Sequence, residues 1–165
     1  MEWGRIVHRL LEELMMDGGL DLHAFARNLF AEEGRAVEDL DEAVRLARSV
    51  QRSALWSRAL AAKRRLVEVP FSLLVGSSEL ARSDGPAETL LQGAIDLAFE
   101  EDSGWMLVDY KSDHVGGNLG ALVALYAPQI RHYRRYWEKL TGTPTRAGLF
   151  FVEAGEEAWL PAEKS

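Results

Sequence analysis

The first sixty residues carry apolar side chains at the three- and four-residue spacing of amphipathic helices. In the first such segment Ile6, Leu10 and Leu14 alternate with charged residues, and Gly18-Gly19 ends the pattern. The same spacing recurs at residues 22–30, at about 37–50 and at about 54–62. The sequence therefore predicts an N-terminal layer of four helices.

Beyond residue 62 the pattern changes to the branched and aromatic runs that are typical of strands. Strands are predicted at 65–75, 90–99, 105–110 and 146–153, with a short edge strand at 158–160 and loops at 76–87 and 113–120. Pro70 indicates a gap or an exposed edge in the first strand, because proline has no N–H to donate. The turn at 101–104 predicts a β-hairpin. A further helix is predicted at about 119–140, kinked or restarted at Pro128.

This order of elements, helices and then three strands, one helix and one or two strands, predicts an α+β or α/β fold with a helical N-terminal layer. The length of 165 residues fits one domain. We therefore expect a single domain over residues 1–165, with the helical layer at 1–62 and a sheet core at 63–165.

Composition narrows the classes of function. The chain has no cysteine, which excludes disulfides, zinc–thiolate sites and iron–sulfur clusters and fits a cytoplasmic location. Arg5, Arg9 and Glu12 interrupt the N-terminal segment, so no secretory signal is expected, and no uncharged stretch has the character of a membrane span. The formal net charge of −7 argues against nucleic-acid binding through bulk charge, although a Mg²⁺ site itself requires carboxylates.

Two acids and a lysine lie on the predicted hairpin. Asp96 and Asp109 fall on its two strands, and Lys111 follows Asp109 by two residues, so the side chains of Asp109 and Lys111 share a face. The two acids and the lysine are therefore expected to converge on one spot. Carboxylates are suitable Mg²⁺ ligands, and a lysine can orient water, stabilise charge on a phosphorane or, when neutral, act as a base. The ordinary alternative is a solvated strand edge with an ion pair. Apolar neighbours make unpaired acids costly here, and the residues alone leave both interpretations open.

A set of motifs along the chain resembles the PD-(D/E)xK nuclease superfamily, and within it the RecB/AddA-type nuclease domain of bacterial helicase–nucleases. In chain order they are G-x-x-x-H-R-L-L-E with His8, E-V-P-F with Glu68, G-x-I-D-L with Asp96, D-Y-K-S-D from Asp109 and Q-x-x-x-Y from Gln129 to Tyr133. Some members of this group hold an iron–sulfur cluster through cysteines. This chain resembles the branch without the cluster.

The resemblance implies a restriction-endonuclease-like core, a central mixed sheet flanked by helices, and a Mg²⁺- or Mn²⁺-dependent deoxyribonuclease that acts as an exonuclease rather than an endonuclease. It implies metal ligands at His8, Asp96, Asp109 and the carbonyl of Tyr110. It makes Lys111 the catalytic lysine, Glu68 a ligand through water or a supporting acid, and Gln129 and Tyr133 residues that steady the phosphate, the metal waters or the lysine. Asp113 is expected to have a structural role.

These residues also have ordinary interpretations. His8 could be a packing histidine, Glu68 an exposed strand residue, and Gln129 with Tyr133 a capping or packing pair. His23, His114 and His132 belong to no motif and are expected at the surface.

The resemblance implies DNA, as a single strand, for the substrate. It also implies a helicase motor in the same or a partner chain, acting in double-strand-break repair and recombination. Candidate DNA contacts are Arg131, Arg134 and Arg135, with His132 and Tyr136 between and beside them, and a second group of Arg58, Lys63, Arg64 and Arg65. Both groups could instead be solvated faces. With a net charge of −7 we expect weak intrinsic affinity for DNA.

Two other functions stay open. One is a catalytically silent nuclease fold that docks DNA or protein, against which the presence of Asp96, Asp109 and Lys111 argues. The other is a metal hydrolase of a small phosphoester, against which Gln129, Tyr133 and the group of arginines at 131–135 argue.

Overall fold

Four helices precede the sheet in the computed structural model, which describes residues 2–76 and 88–161 and the side chains of 3–72 and 92–161. They are α1 (Glu2–Met16), α2 (Leu22–Glu32), α3 (Leu40–Gln51), which a single 3₁₀ turn over Val37–Asp39 precedes, and α4 (Ala54–Ala61). The side chains of Asp21 and Ser53 accept backbone N–H hydrogen bonds at the starts of α2 and α4, which fixes where these helices begin. The four predicted helices are confirmed.

Within residues 2–76 and 88–161, five strands form one sheet, in which they lie side by side in their order along the chain. They are β1 (Arg64–Gly76), β2 (Glu88–Glu101), β3 (Gly104–Lys111), β4 (Thr145–Phe151) and β5 (Glu156–Trp159). Neighbours are antiparallel except β3 and β4, which are parallel and are joined through α5 (Leu119–Thr141). The predicted hairpin is the β2–β3 pair, and the expectation of a mixed sheet is confirmed.

Pro70 and Pro128 both lie inside regular elements, and of these two only Pro70 is at a position where a missing N–H is readily tolerated. Pro70 lies in β1, which is at the edge of the sheet as described, and Pro128 lies inside α5, which continues through it. The loop predicted at 76–87 falls, after Gly76, outside the described residues. Within the described part of the chain, no helix combines the length and apolar character needed to cross a bilayer.

The sheet separates two hydrophobic clusters. Helices α1 to α4 cover one face and α5 covers the other. In β3, Met106 and Val108 pack with the four-helix layer, whereas Trp105 and Leu107 pack with α5. Because side chains alternate along a strand, this pattern places Asp109 on the α5 face.

Gly104 begins β3 in a conformation that other residues rarely adopt. Its φ is 122°, and a Cβ built there would lie 2.1 Å from the carbonyl oxygen of Pro144. The N–H of Trp105 donates to that same carbonyl, 2.9 Å away. A side chain at position 104 would therefore push apart the hairpin and the start of β4.

We expect Gly104→Ala to lower the free energy of unfolding by about 3 kcal/mol, because strain and steric overlap add at this position. Urea denaturation followed by circular dichroism measures the loss. Gly142→Ala is the matched control, since Gly142 also has a positive φ of 66° but no described atom lies within 4 Å of a Cβ placed there. The control should lose only about 1 kcal/mol, and equal losses in the two variants would contradict the steric explanation.

Candidate active site

Three acidic residues occupy matching positions on three neighbouring strands. The β1–β2 register places Glu68 opposite Asp96, and the β2–β3 register, extended one residue past its last pair, places Asp96 opposite Asp109. Neither pair belongs to the ladder of paired residues. Asp96 and Asp109 thus lie on adjacent strands, as predicted, at a place where regular pairing is interrupted.

The backbone is irregular along this row. Glu68 has a φ of 49° and is the only non-glycine residue with a positive φ in the described ranges 2–76 and 88–161. On β2, Ile95 packs with the α5 cluster and Leu97 with the four-helix cluster, although they are two residues apart. The strand therefore does not keep a simple alternation through Asp96. Backbone strain of this kind typically persists only where surrounding structure enforces it.

Asp96 bridges the hairpin and the first helix. Its Oδ2 accepts a hydrogen bond of 2.7 Å from the backbone N–H of Tyr110 on β3, and its Oδ1 lies 3.3 Å from Nδ1 of His8 on α1. Burial lowers the pKa of His8, but the hydrogen bond to Asp96 and the negative charges of Asp96 and Asp109 outweigh it, so the pKa is raised overall. His8 is therefore held by an acid rather than by packing alone.

Asp109 and Lys111 form a close ion pair. Asp109 is only 6% exposed, and the ammonium of Lys111 lies 2.6 Å from its Oδ2. This is a charge-assisted contact, and no other donor among the described residues reaches the buried Oδ2. Burial and the charge of Asp96 raise the pKa of Asp109 to about 6, although Lys111 and His8 act in the opposite direction. Burial and the neighbouring acid therefore outweigh the ammonium of Lys111 in setting the pKa of this carboxyl.

Gln129 and Tyr133 meet on α5, as their spacing of four predicts. The side-chain amide of Gln129 donates to the hydroxyl oxygen of Tyr133. Tyr133 is buried and packs edge-on against Phe71, with the ring centroids 4.7 Å apart. Burial and the charge of Asp109 raise the pKa of Tyr133 to about 12, so its phenol is protonated at neutral pH.

An open groove of about 420 Å³ runs beside α1 to Asp96; it is lined by Arg5, His8, Arg9, Glu12, Glu68 and Asp96. Burial and the charges of Asp96 and Glu12 raise the pKa of Glu68. Arg5 pairs with Glu33, and Arg9 pairs with Glu12 and Glu13. Sequence reasoning missed these two arginines. The available signal was helical spacing, since Arg5 and His8 are three residues apart and share a face.

The residues predicted to contact DNA differ in their exposure and in their partners within the protein. Arg134 is buried and donates to the carbonyl of Pro161, 2.9 Å away, so the prediction that it contacts DNA is wrong. Arg131 and Arg135 are exposed on α5. The second group is engaged within the protein: Arg58 pairs with Glu101, Lys63 with Asp102 and Arg64 with Glu100, and Arg65 donates to the carbonyl of Ala59. His23 and His114 are exposed, as expected, whereas His132 is half-buried.

The donors at the site suit a divalent cation in their chemistry. Asp96 and Asp109 offer carboxylate oxygens, and His8, 3.3 Å from Asp96, offers an imidazole nitrogen. Within residues 2–76 and 88–161, no three histidine or acidic side chains converge closely enough to hold one ion together. The candidate ligands are therefore of suitable chemical types, but those of the described residues do not form a preassembled set of three.

Comparison with known proteins identifies the family to which this chain is similar. The sequence matches the family model of the PD-(D/E)XK nuclease superfamily over residues 1–163. An ATP-dependent helicase/nuclease subunit from Acetivibrio thermocellus is 36% identical over 159 residues, which cover 92% of this chain and 12% of that protein. The protein of the same name from Alkaliphilus oremlandii is 32% identical over 169 residues, covering 93% of this chain and 14% of that protein.

The chain therefore spans only a small part of the length of these two relatives. The resemblance read from the motifs, to the nuclease domain of helicase–nucleases, is confirmed, and the mixed sheet between helical layers is consistent with the restriction-endonuclease-like core that it implied. Since the family match extends over nearly every residue, this chain belongs to the PD-(D/E)XK nuclease superfamily.

Proposed function

We propose that this chain is a metal-dependent deoxyribonuclease domain that hydrolyses phosphodiester bonds. The observation that carries the proposal is the buried carboxylate of Asp109, which pairs with the ammonium of Lys111 at 2.6 Å and lies opposite Asp96 on the neighbouring strand. A buried acid next to a second acid favours a bound cation, and the adjacent ammonium favours an anionic phosphate. Membership of a nuclease superfamily supports the same activity.

Each residue at the site has a role in this proposal. Asp96, Asp109 and His8 would hold the divalent ion, Mg²⁺ or Mn²⁺, with the carbonyl of Tyr110. When bound, such an ion lowers the pKa of its water and offsets charge on the phosphoryl oxygens. The ammonium of Lys111 stabilises negative charge that develops on the phosphorane or orients the attacking water. The hydrogen bond from Tyr110 to Asp96 fixes one carboxylate before substrate arrives.

Supporting roles fall to residues around this centre. Glu68, opposite Asp96, would act through water or as a second acid, and its raised pKa fits a position among other carboxylates. The neutral phenol of Tyr133 and the exposed amide of Gln129 would steady the phosphate. Their mutual hydrogen bond orients both groups before the substrate binds.

The setting follows from the relatives, whose name describes a subunit of an ATP-dependent helicase/nuclease. We propose that this domain is the nuclease part of a helicase–nuclease in double-strand-break repair and recombination. A motor in the same or a partner chain would deliver single-stranded DNA, and the domain would act as an exonuclease. This setting implies a cytoplasmic location, with which the lack of cysteine is compatible.

Removal of metal tests the proposal. We expect the purified chain to shorten an end-labelled single-stranded oligonucleotide in Mg²⁺ or Mn²⁺, to stop when EDTA is added and to resume when excess Mg²⁺ is restored, because the acids need a cation to approach a phosphate. Gel electrophoresis follows the products. A circular single strand is the control that separates exonuclease from endonuclease action. Absence of cleavage with either ion on either DNA would refute the proposal.

Binding without cleavage gives a second prediction. In Ca²⁺ we expect the chain to bind a labelled oligonucleotide weakly, with Kd on the order of 10⁻⁵ M at physiological salt, and more weakly as salt increases. The reasons are the net charge of −7 and the internal pairing of Arg58, Lys63 and Arg64. Fluorescence anisotropy measures the affinity. Tight binding that is insensitive to salt would contradict this prediction.

One observation favours the alternative, a catalytically silent module that docks DNA or protein. The histidine and acidic side chains of the described residues form pairs rather than a three-ligand cluster. A silent module would bind DNA equally in Ca²⁺ and Mg²⁺ and would cut in neither. The two assays above therefore separate the alternatives.

A further inference from the structure

Tyr126, a residue of α5 outside the motifs, faces the ammonium of Lys111. The Nζ atom lies 4.1 Å from the centroid of the Tyr126 ring and 2.6 Å from Oδ2 of Asp109. At this distance the ring attracts the cation through its negative face. The Lys111 side chain is 15% exposed, so the interaction is only partly screened by solvent. The ammonium thus has two partners, one charged and one aromatic.

Asp113 holds Tyr126 in turn. The Tyr126 hydroxyl donates to the carboxylate of Asp113, with oxygen–oxygen distances of 3.0 and 3.1 Å to its two oxygens. A hydrogen bond to an ionised acceptor is stronger than one between neutral groups. Asp113 follows Lys111 by two residues, just after β3 ends. The contacts therefore form a closed circuit from Lys111 to the ring, from the ring to Asp113, and back along the chain.

A ring has a specific advantage in this position. A lysine side chain has four rotatable bonds and many rotamers, so an unrestrained ammonium would spend little time at one point. A second carboxylate in place of the ring would restrain the ammonium but would add another negative charge beside the phosphate. An aromatic face restrains the cation without adding such a charge.

We propose that Tyr126 and Asp113 are positioning residues for Lys111. The ring of Tyr126 holds the ammonium beside Asp109, and the carboxylate of Asp113 holds the ring. This inference rests on the proposed function, since it concerns the lysine assigned to the reaction. Asp113 was expected to have a structural role. Its hydrogen bond to Tyr126 explains that role, because it anchors α5 against the end of β3.

The contact itself is tested by NMR on the metal-free chain. Protons above an aromatic ring resonate upfield, so we expect upfield-shifted ε-CH₂ protons for Lys111 in the wild type and in Tyr126→Phe. In Tyr126→Leu the shift should disappear. Lys111→Arg assigns the signal, and circular dichroism verifies that each variant is folded. An unshifted Lys111 signal in the wild type would overturn the inference, whatever the nuclease activity.

The consequence for catalysis is tested by single-turnover cleavage. We expect Tyr126→Leu to lower the rate at saturating DNA about tenfold, the size of one desolvated cation–π contact. The DNA concentration at half saturation should stay unchanged, because Lys111 acts on charge that develops during reaction. Tyr126→Phe keeps the ring but loses its hydrogen bond to Asp113, so its rate should lie between those of Tyr126→Leu and the wild type. Leu125→Ala, at a 67% exposed neighbour on α5, is the control and should cut at the wild-type rate.

The anchor is tested by a double-mutant cycle. Asp113→Ala and Tyr126→Phe each remove the same hydrogen bond, so the double variant should be no slower than the slower single variant. Additive losses, or a Tyr126→Leu variant that cuts at the full rate, would overturn the inference. A wild type that shows the upfield signal but cuts no DNA would instead overturn the proposed function on which the inference depends.

Discussion

Asp109→Asn is expected to lower the single-turnover rate of DNA cleavage at least about a thousandfold, the order of the several kcal/mol that metal-assisted charge stabilisation supplies. The substitution keeps the size of the side chain but removes the charge that would hold a cation and that pairs with Lys111 at 2.6 Å. Asp102→Asn is the matched control. Asp102 lies in the turn of the same hairpin, where its side chain is 95% exposed and pairs with Lys63. Similar rates for the two variants would remove Asp109 from the site.

The same variant tests the raised pKa of Asp109 through stability. Its pKa is about 6 in the folded protein against 3.8 for the ordinary group, so the folded state binds this proton more tightly than the unfolded state. The resulting stabilisation is fully present below 3.8 and is lost as the pH rises through about 6. In EDTA, the Tm of the wild type should therefore fall relative to that of Asp109→Asn as the pH rises through this window. A constant difference would contradict the pKa shift.

Lys111→Met is the second large effect. Loss of the ammonium is expected to lower the cleavage rate at saturating DNA about 10²- to 10³-fold, as removal of one charge-stabilising donor does in other sites. DNA half saturation should stay nearly constant, since the charge on the phosphorane develops only in the transition state. Lys139→Met, an exposed lysine in the last turn of α5, is the matched control.

The pattern of loss is as informative as its size. A Lys111→Met variant that binds DNA poorly but cuts at the normal maximal rate would make Lys111 a ground-state phosphate contact. Lys111→Arg should restore little activity, because the planar guanidinium differs in shape from the ammonium that fits between Asp109 and Tyr126. Quenched-flow measurement over a range of DNA concentrations separates the two parameters.

Local patterns predicted much of the fold. The hairpin followed from a tight turn between two apolar runs, and the shared face of Asp109 and Lys111 followed from the two-residue period of a strand. Both are properties of a few neighbouring residues. The match of Gln129 to Tyr133 likewise follows from helical spacing. Such features need no knowledge of how the layers pack.

Features that depend on packing between layers were not predictable in the same way. Arg134 looks like a surface cation in the sequence, but its side of α5 faces Pro161. The contact of Tyr126 with Lys111 joins α5 to β3, and nothing in the sequence near either residue signals it. The positive φ of Glu68 was equally hidden, since the residues around it have ordinary strand propensity. The proximity of His8 to Asp96 followed only from the family resemblance, which implied that both residues are metal ligands.

The hydrogen bond from the Tyr110 N–H to Asp96 has an evolutionary consequence. The Tyr110 N–H lies where the regular pairing of the two strands stops, and the carboxylate gives it an acceptor. Asp96 therefore stabilises the hairpin in addition to being a candidate ligand. Asp109 has the opposite character, because its buried charge burdens the fold. In relatives that no longer need the reaction, we therefore expect Asp109 to be replaced before Asp96, because only Asp96 also stabilises the fold.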